Sequence, residues 1–206
     1  MSSKKAQIRL ARESDARSLL DIYDPIVRYT AISFEREVPS ERQMTERIVT
    51  NLERFPWLVL EREGWLWGYA YASSFRPREA YQWITEVTVY VHPQVHRRRV
   101  GESLYTSLLA CLRLQGYVTA LAVIALPNPA SVGLHEKLGF RSVGVLKAAG
   151  FKHGRWHDVG WWQRALCELP AAPPPPRPLP LVLRDPAWTE ALAAGTALLV
   201  GKRDAP

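Results

Sequence analysis

A carboxylate on a strand, a histidine on a helix face and a run of arginines before a glycine are the features of this chain suited to acid–base work and anion binding. Glu86 lies in ITEVTVYV, where Val87, Val89 and Val91 alternate with Glu86, Thr88 and Tyr90. That pattern predicts a strand with Glu86 beside buried apolar neighbours. Asn128, Ser131 and His135 are spaced three and four apart, so they share the one polar face of an otherwise apolar helix. Arg97, Arg98 and Arg99 stand where a helix begins at Gly101, and positive charge there opposes the helix dipole. Free N–H groups, a glycine that lets a ligand approach and a ring of guanidinium groups make a phosphate site. A solvated basic turn fits the same residues. Arg76 and Arg78 sit in a loop at one end of the predicted sheet. Two such side chains can clamp a carboxylate or phosphinate, although solvated loop arginines are commoner. Structural roles stay open for the others too: an ion pair for Glu86, a satisfied helix-face ring for His135, a satellite core contact for Phe34.

The scaffold for these residues can be read along the chain. Ile8 to Ala11 reads as a strand, and Ser14 as the cap of a helix from Asp15 to about Tyr29 with a kink expected at Pro25. Ser40 followed by Gln43 is a capping-box signal for a helix through Leu52. Trp57 to Glu61 and Trp65 to Ser74 flank Gly64 as a hairpin. After the Glu86 strand, Gly101 opens a helix carrying Leu104, Leu108, Cys111 and Leu112 at helical spacing, and Gly116 ends it. TALAVIAL, Thr119 to Leu126, is apolar enough to be covered on both faces. Strand, helix and strand then form a right-handed parallel crossover. Asn128 caps the next helix, Pro129 takes its first position and Gly139 stops it. Arg141 to Leu166 is a tryptophan-rich hairpin suited to burial against something large, a second subunit being one occupant.

The chain has 206 residues, 47% of them hydrophobic, which is enough for one full core and an appendage. Residues 1–169 form the expected domain, 170–184 a proline-rich linker and 185–206 a tail with one short helix. The N-terminus lacks an apolar signal region and no run is long enough to span a bilayer, so the expectation is a cytoplasmic protein. Cys111 and Cys167 give neither a disulfide framework nor a metal-ligand spacing, and no metal is expected. A net charge of +7 allows a polyanionic partner. No nucleic-acid motif accompanies the arginine cluster, so a small, highly charged ligand fits better.

Along Ile8 to Leu169 the chain resembles the GCN5-related N-acetyltransferase (GNAT) superfamily, and within it the phosphinothricin N-acetyltransferases. The resemblance rests on ISFERE, FPWLVLE, AYQWITEVTVYV, LYTSLL, AVIALPNPASVGLHEKLGF and AAGFKHGRWHDVGWWQR. It implies an α/β fold with a mixed sheet whose parallel central strands splay, acetyl-CoA as acetyl donor, a small amino-acid-like substrate, and a homodimer. It also implies that the pantetheine arm adds beside the backbone of Val89, Tyr90 and Val91, which polarises the thioester carbonyl. The pyrophosphate would rest on His96, Arg97, Arg98, Arg99, Val100 and Gly101, with Asn128 and Ser131 on the cofactor's other side. By the same resemblance Glu86 is the general base, through water or directly, and His135 helps as base or as acid to the leaving thiolate. Phe34, Arg76, Arg78, Tyr81 and Thr88 match positions lining the amino-acid pocket, with Arg78 the preferred partner of the substrate's anionic group.

One departure stands out. The family's cofactor loop follows Q/R-x-x-G-x-G/A, whereas this chain has Arg99 at the first glycine. With positive φ an arginine there costs about 1 kcal/mol or more and crowds the pyrophosphate. With negative φ it adds a cation beside phosphate, and the intact remainder of the pattern favours this second case. Two rival functions remain: acetyl transfer to another amine such as a peptide terminus, and a non-catalytic acyl-CoA-binding module.

Overall fold

The computed structural model describes residues 6–199. Its centre is a seven-stranded mixed sheet in the order β1-β2-β3-β4-β5-β7-β6. The strands are β1 (Gln7–Leu10), β2 (Trp57–Arg62), β3 (Trp65–Ser74), β4 (Ile84–Val91), β5 (Thr119–Leu126), β6 (Arg141–Lys152) and β7 (Arg155–Ala165). The longer helices are α1 (Ala16–Tyr29), α2 (Glu41–Leu52), α3 (Val100–Gln115) and α4 (Pro129–Lys137), followed by the short α5 (Leu179–Val182) and α6 (Trp188–Ala193). All pairings are antiparallel except β4 with β5.

Two apolar layers sandwich the sheet. On one side α1 and α2 bury Leu19, Ile22, Met44 and Ile48 against Trp57, Val59 and Tyr69. On the other, α3 packs Leu104, Tyr105, Leu108 and Leu112 against Leu58, Ala70, Val87 and Ala122. The alternation read in β4 is the reason the strand serves both layers: Val87 faces α3, whereas Tyr90 joins the tyrosines under α1.

Most helix signals act as read. The Ser40 hydroxyl accepts from Gln43 N–H while the Gln43 amide oxygen accepts from Ser40 N–H, closing the capping box. Asn128 Oδ1 accepts from Ser131 N–H at 3.1 Å, and Gly139, at φ +82°, lies just past α4. Ser14 is not a cap: it lies in a single 3-10 turn, Glu13–Asp15, before α1. Asp15 takes the N-cap place of α1 without a side-chain cap bond, because its carboxylate turns back to accept Arg12 N–H at 2.7 Å and the Arg9 guanidinium at 2.7 Å. Pro25 lies inside α1, which continues to Tyr29.

The segment after the second hairpin lies against the domain. Trp83 Nε1 donates to Pro174 O, and Gln115 Nε2 donates to both Arg54 O and Arg177 O. Leu179, Val182 and Trp188 then form a third apolar cluster with Cys111 of α3. Burial there pushes the Cys111 thiol up to about 12, so it is an inert core group. Among the described residues no helix is long and apolar enough to cross a membrane.

Candidate active site

The site begins where β4 and β5 part. Their parallel pairing is confined to Ile84, Thr85 and Glu86 against Thr119, Ala120 and Leu121. β5 pairs with β7 along its whole length, and β4 stays with β3 as far as Val91. The β5-side edge of Val89 to Val91 is therefore left without a neighbouring strand, with Glu86 at the last joined position. Val91 O on this stretch accepts from His96 Nε2 at 3.2 Å, which folds the adjoining turn back toward β4.

That turn delivers the start of α3 to the open edge. Arg97 and Arg99 have φ of +64° and +61°. The expectation of negative φ at Arg99 is thus corrected: the helix enters through a left-handed residue, as a glycine would allow, at a backbone cost of about 1–2 kcal/mol. The side chain is not left crowding the helix end. Arg99 Nε and Nη2 both lie 3.0 Å from the Glu102 carboxylate, and Lys137 Nζ lies 2.6 Å from it. These two cations hold the Glu102 carboxyl down to about 2. Arg98 lies over the Trp67 ring with its Cζ 5.6 Å from the centroid.

Val100 is buried and no side chain caps the start of α3, so its first N–H groups stay available. A Cβ on Gly101 would meet Leu134 Cδ2 at 3.0 Å and Val91 Cγ2 at 3.6 Å. The glycine therefore sets how closely α3, α4 and β4 approach. An open strand edge, an uncapped helix start and this close approach fit a ligand with an extended arm and a phosphorylated end.

Glu86 belongs to the α1/α2 side of the sheet. Its register partner on β3 is Ser73, as Thr88 faces Tyr71 and Tyr90 faces Tyr69. Desolvation pushes the Glu86 carboxyl above the usual range, and the charge of Arg76 offsets part of that rise. Ser73, Tyr71 and Tyr90 line a cavity of about 720 Å³ beneath α2, together with Tyr23, Trp57 and Arg47. The Arg47 guanidinium is forked onto Glu35 at 2.8 and 3.2 Å. Arg76, Arg78 and Tyr81 line a separate pocket of about 250 Å³, which shares Arg54, Phe55 and Ser74 with the larger one. The predicted pocket residues are thus distributed: Thr88 beside the tyrosines, the arginines next door, and Phe34 in the α1–α2 loop with its ring against Gly150 of the second hairpin.

His135 occupies the other layer and makes no hydrogen bond with Glu86. It is 3% exposed. Its Nδ1 lies 2.7 Å from Ser131 O, an atom that only accepts, so Nδ1 carries the proton. Nε2 is then free to accept from the Tyr105 hydroxyl at 3.0 Å. Burial lowers the His135 pKa, which keeps the ring neutral. The expected Asn128–Ser131–His135 face exists, and Ser131 Oγ lies 3.3 Å from Nδ1.

Sequence reasoning missed Tyr105, Arg47 and the tyrosine cavity. Tyr105 sits beside Leu104 in the apolar stripe of α3, where an aromatic residue reads as core. The i+30 contact with His135 has no local signature.

Comparison with known proteins agrees with this geometry. Residues 8–161 match the family described as acetyltransferase (GNAT) domain. The chain is 43% identical over 176 residues to phosphinothricin N-acetyltransferase of Streptomyces viridochromogenes, covering 85% of this chain and 96% of that protein. It is 32% identical over 162 residues to L-methionine sulfoximine/L-methionine sulfone acetyltransferase of Salmonella typhimurium, covering 78% and 95%. The crystal structure of a GNAT superfamily phosphinothricin acetyltransferase from Sinorhizobium meliloti in complex with AcCoA superposes with a TM-score of 0.78 at 38% identity, covering 82% and 93%. With the parted strands, the uncapped α3 start and these likenesses together, the chain belongs to the GNAT family of acetyl-CoA-dependent N-acetyltransferases, in the phosphinothricin N-acetyltransferase group.

Proposed function

We propose that the protein transfers acetyl to the α-amino group of a small amino acid of the phosphinothricin or methionine sulfoximine type. The observation that carries this reading is Glu86, desolvated at the point where β4 and β5 part and directly across from a cavity-lining serine. Bound acetyl-CoA supplies the acetyl group as a thioester. Val89 to Val91 offer backbone groups along the arm, and the N–H groups at Val100 and Gly101, with Arg97 and Arg98, hold the phosphates. Asn128 and Ser131 border the same ligand from the α4 side.

A substrate amine arrives as ammonium and must lose a proton before it attacks the carbonyl. Glu86 takes that proton, directly or through water, and its raised pKa brings its basicity closer to the task. A second proton leaves nitrogen as the amide forms, and one proton ends on the departing sulfur. His135 is the second acid–base group in this reading, with Nε2 and the Tyr105 hydroxyl sharing the proton that can be moved. Thr88, Phe34, Arg76 and Tyr81 surround the amino acid, and Arg78 holds its anionic group. Holding both reactants together supplies much of the rate, so no covalent enzyme intermediate is needed.

The test is CoA thiol release from acetyl-CoA with phosphinothricin, methionine sulfoximine, ordinary amino acids and a short peptide, alongside Glu86→Gln. Turnover with the first two, lost in the variant, is expected. Turnover with the peptide alone would move the acceptor to a chain terminus, and acetyl-CoA binding without turnover on any amine would make the protein a binding module.

A further inference from the structure

The turn of the second hairpin reaches the end of α1 and the loop after it. Lys152, the last residue of β6, is 7% exposed, and its ammonium donates to Val27 O and to Ser33 O, each at 2.7 Å. Val27 lies in the last turn of α1, where carbonyls lack intrahelical donors, so the lysine caps that helix from a distant part of the chain. His153 Nε2 adds a contact at 3.2 Å to Thr30 O. Residues 27–33 are therefore tied to the hairpin at three carbonyls.

The stretch Ser33 to Glu35 borders the acceptor region. Phe34 lies so close over β6 that a Cβ on Gly150 would stand 2.1 Å from its ring. Glu35 holds Arg47, which lines the large cavity, and the Ser33 hydroxyl lies 2.7 Å from the hydroxyl of Tyr23, another lining residue. Ser33, Phe34 and Glu35 each lead into the acceptor region, and Lys152 fixes the backbone that carries them. The cofactor-side elements, β4 beyond Glu86 and the start of α3, have no hydrogen bond with Lys152.

We propose that Lys152 is a positioning residue for the amine acceptor, setting Phe34 and the Glu35–Arg47 pair through the α1–α2 loop, with no part in holding acetyl-CoA. This rests on the acceptor assignment above. Truncation to methionine keeps the stem but leaves two carbonyls without their donor. Gly150→Ala tests the same loop by another route: Gly150 has no positive φ, so alanine suits its backbone, while the added methyl must displace Phe34.

The experiment is initial-rate thiol release by the full chain, with phosphinothricin and acetyl-CoA varied in turn, for wild type, Lys152→Met and Gly150→Ala. The expected result is a KM for the amine raised about tenfold in both variants, the loss that small misplacement of a bound reactant brings. The KM for acetyl-CoA should stay within about twofold, since no contact to the cofactor side changes. An unchanged amine KM, or equal rises for both substrates, would overturn the role of Lys152 while leaving the acceptor assignment intact. Absence of wild-type turnover on any amine would overturn both. If Lys152→Met does not fold, Lys152→Gln, which keeps a donor for one of the two carbonyls, is measured in its place and read by the same outcomes.

Discussion

The Tyr105 hydroxyl donates to Nε2 of His135 across 3.0 Å, joining α3 to α4 inside the core. Because Nδ1 is committed to Ser131 O, this contact leaves neither ring nitrogen idle. Tyr105→Phe removes the donor and leaves Nε2 without a partner. Thiol-release kinetics should show kcat reduced about a hundredfold for His135→Ala, the lower end of the usual range for acid–base groups, and by a smaller factor, about tenfold, for Tyr105→Phe. Equal kcat in wild type and His135→Ala would reduce the pair to a packing contact.

The raised pKa of Glu86 sets a pH dependence. In the proposed mechanism the ionised carboxylate is the base, so kcat/KM should rise with pH, with a lower limb whose midpoint lies above the ordinary carboxylate range because burial disfavours the charge. Glu86→Gln should remove that limb along with most of the activity. A limb that persists in the variant would belong to another group.

Glu102 gives the opposite sign in stability. Its carboxyl is held at about 2 in the fold by Arg99 and Lys137, below its value in the unfolded chain. The stabilisation is complete above the unfolded pKa and is lost as pH falls toward about 2. Glu102→Gln should therefore lower the thermal midpoint at pH 7, with the gap to wild type closing as pH falls through that window. A gap independent of pH would point to packing rather than charge.

Arg99 tests whether the guanidinium or only the backbone matters. Arg99→Gly relieves about 1 kcal/mol of left-handed backbone strain and forfeits an exposed ion pair of the kind that contributes little. The two effects oppose each other, so the thermal midpoint should barely move. The KM for acetyl-CoA should change by less than about twofold, because the side chain is directed to Glu102. A large rise in KM would show that Arg99 turns to the phosphates when they bind.

Phe151 and Trp156 pair edge to face on the second hairpin, and both are exposed, as are Val143, Val145 and Leu146. A second copy of the chain covering part of this surface is the expected arrangement. Light scattering should give a dimer at micromolar concentration, and Trp156→Asp should weaken it. A wild-type monomer would overturn the expectation.

Patterns that depend on near neighbours were legible in the sequence. The β4 alternation, the Ser40–Gln43 box and the Asn128-Pro129 start each involve residues within a few positions, and each forms as read. The Ser14 cap failed because Arg9, outside the local window, recruits Asp15. The Arg99 backbone could not be read from its side chain, since the residue type disfavours the left-handed conformation that the turn into α3 imposes, while the guanidinium finds Glu102 three residues on. Lys152 looks like any solvated turn lysine until α1 is seen ending above it. The pocket arginines were placed at a sheet end correctly, but the tyrosine cavity needed the β3–β4 register to assemble.

The parting of β4 and β5 bears on solubility as well as on catalysis. A strand with free N–H and C=O groups normally invites other chains to add to it and aggregate. Here the unpaired edge lies in the interior of a seven-stranded sheet, flanked by β3 on one side and by the β5–β7 pair on the other. A folded partner presenting its own sheet edge meets those flanking elements before it can zip up. A slender, extended ligand does not, and the fold thereby keeps an adhesive edge open to such a ligand and closed to other sheets.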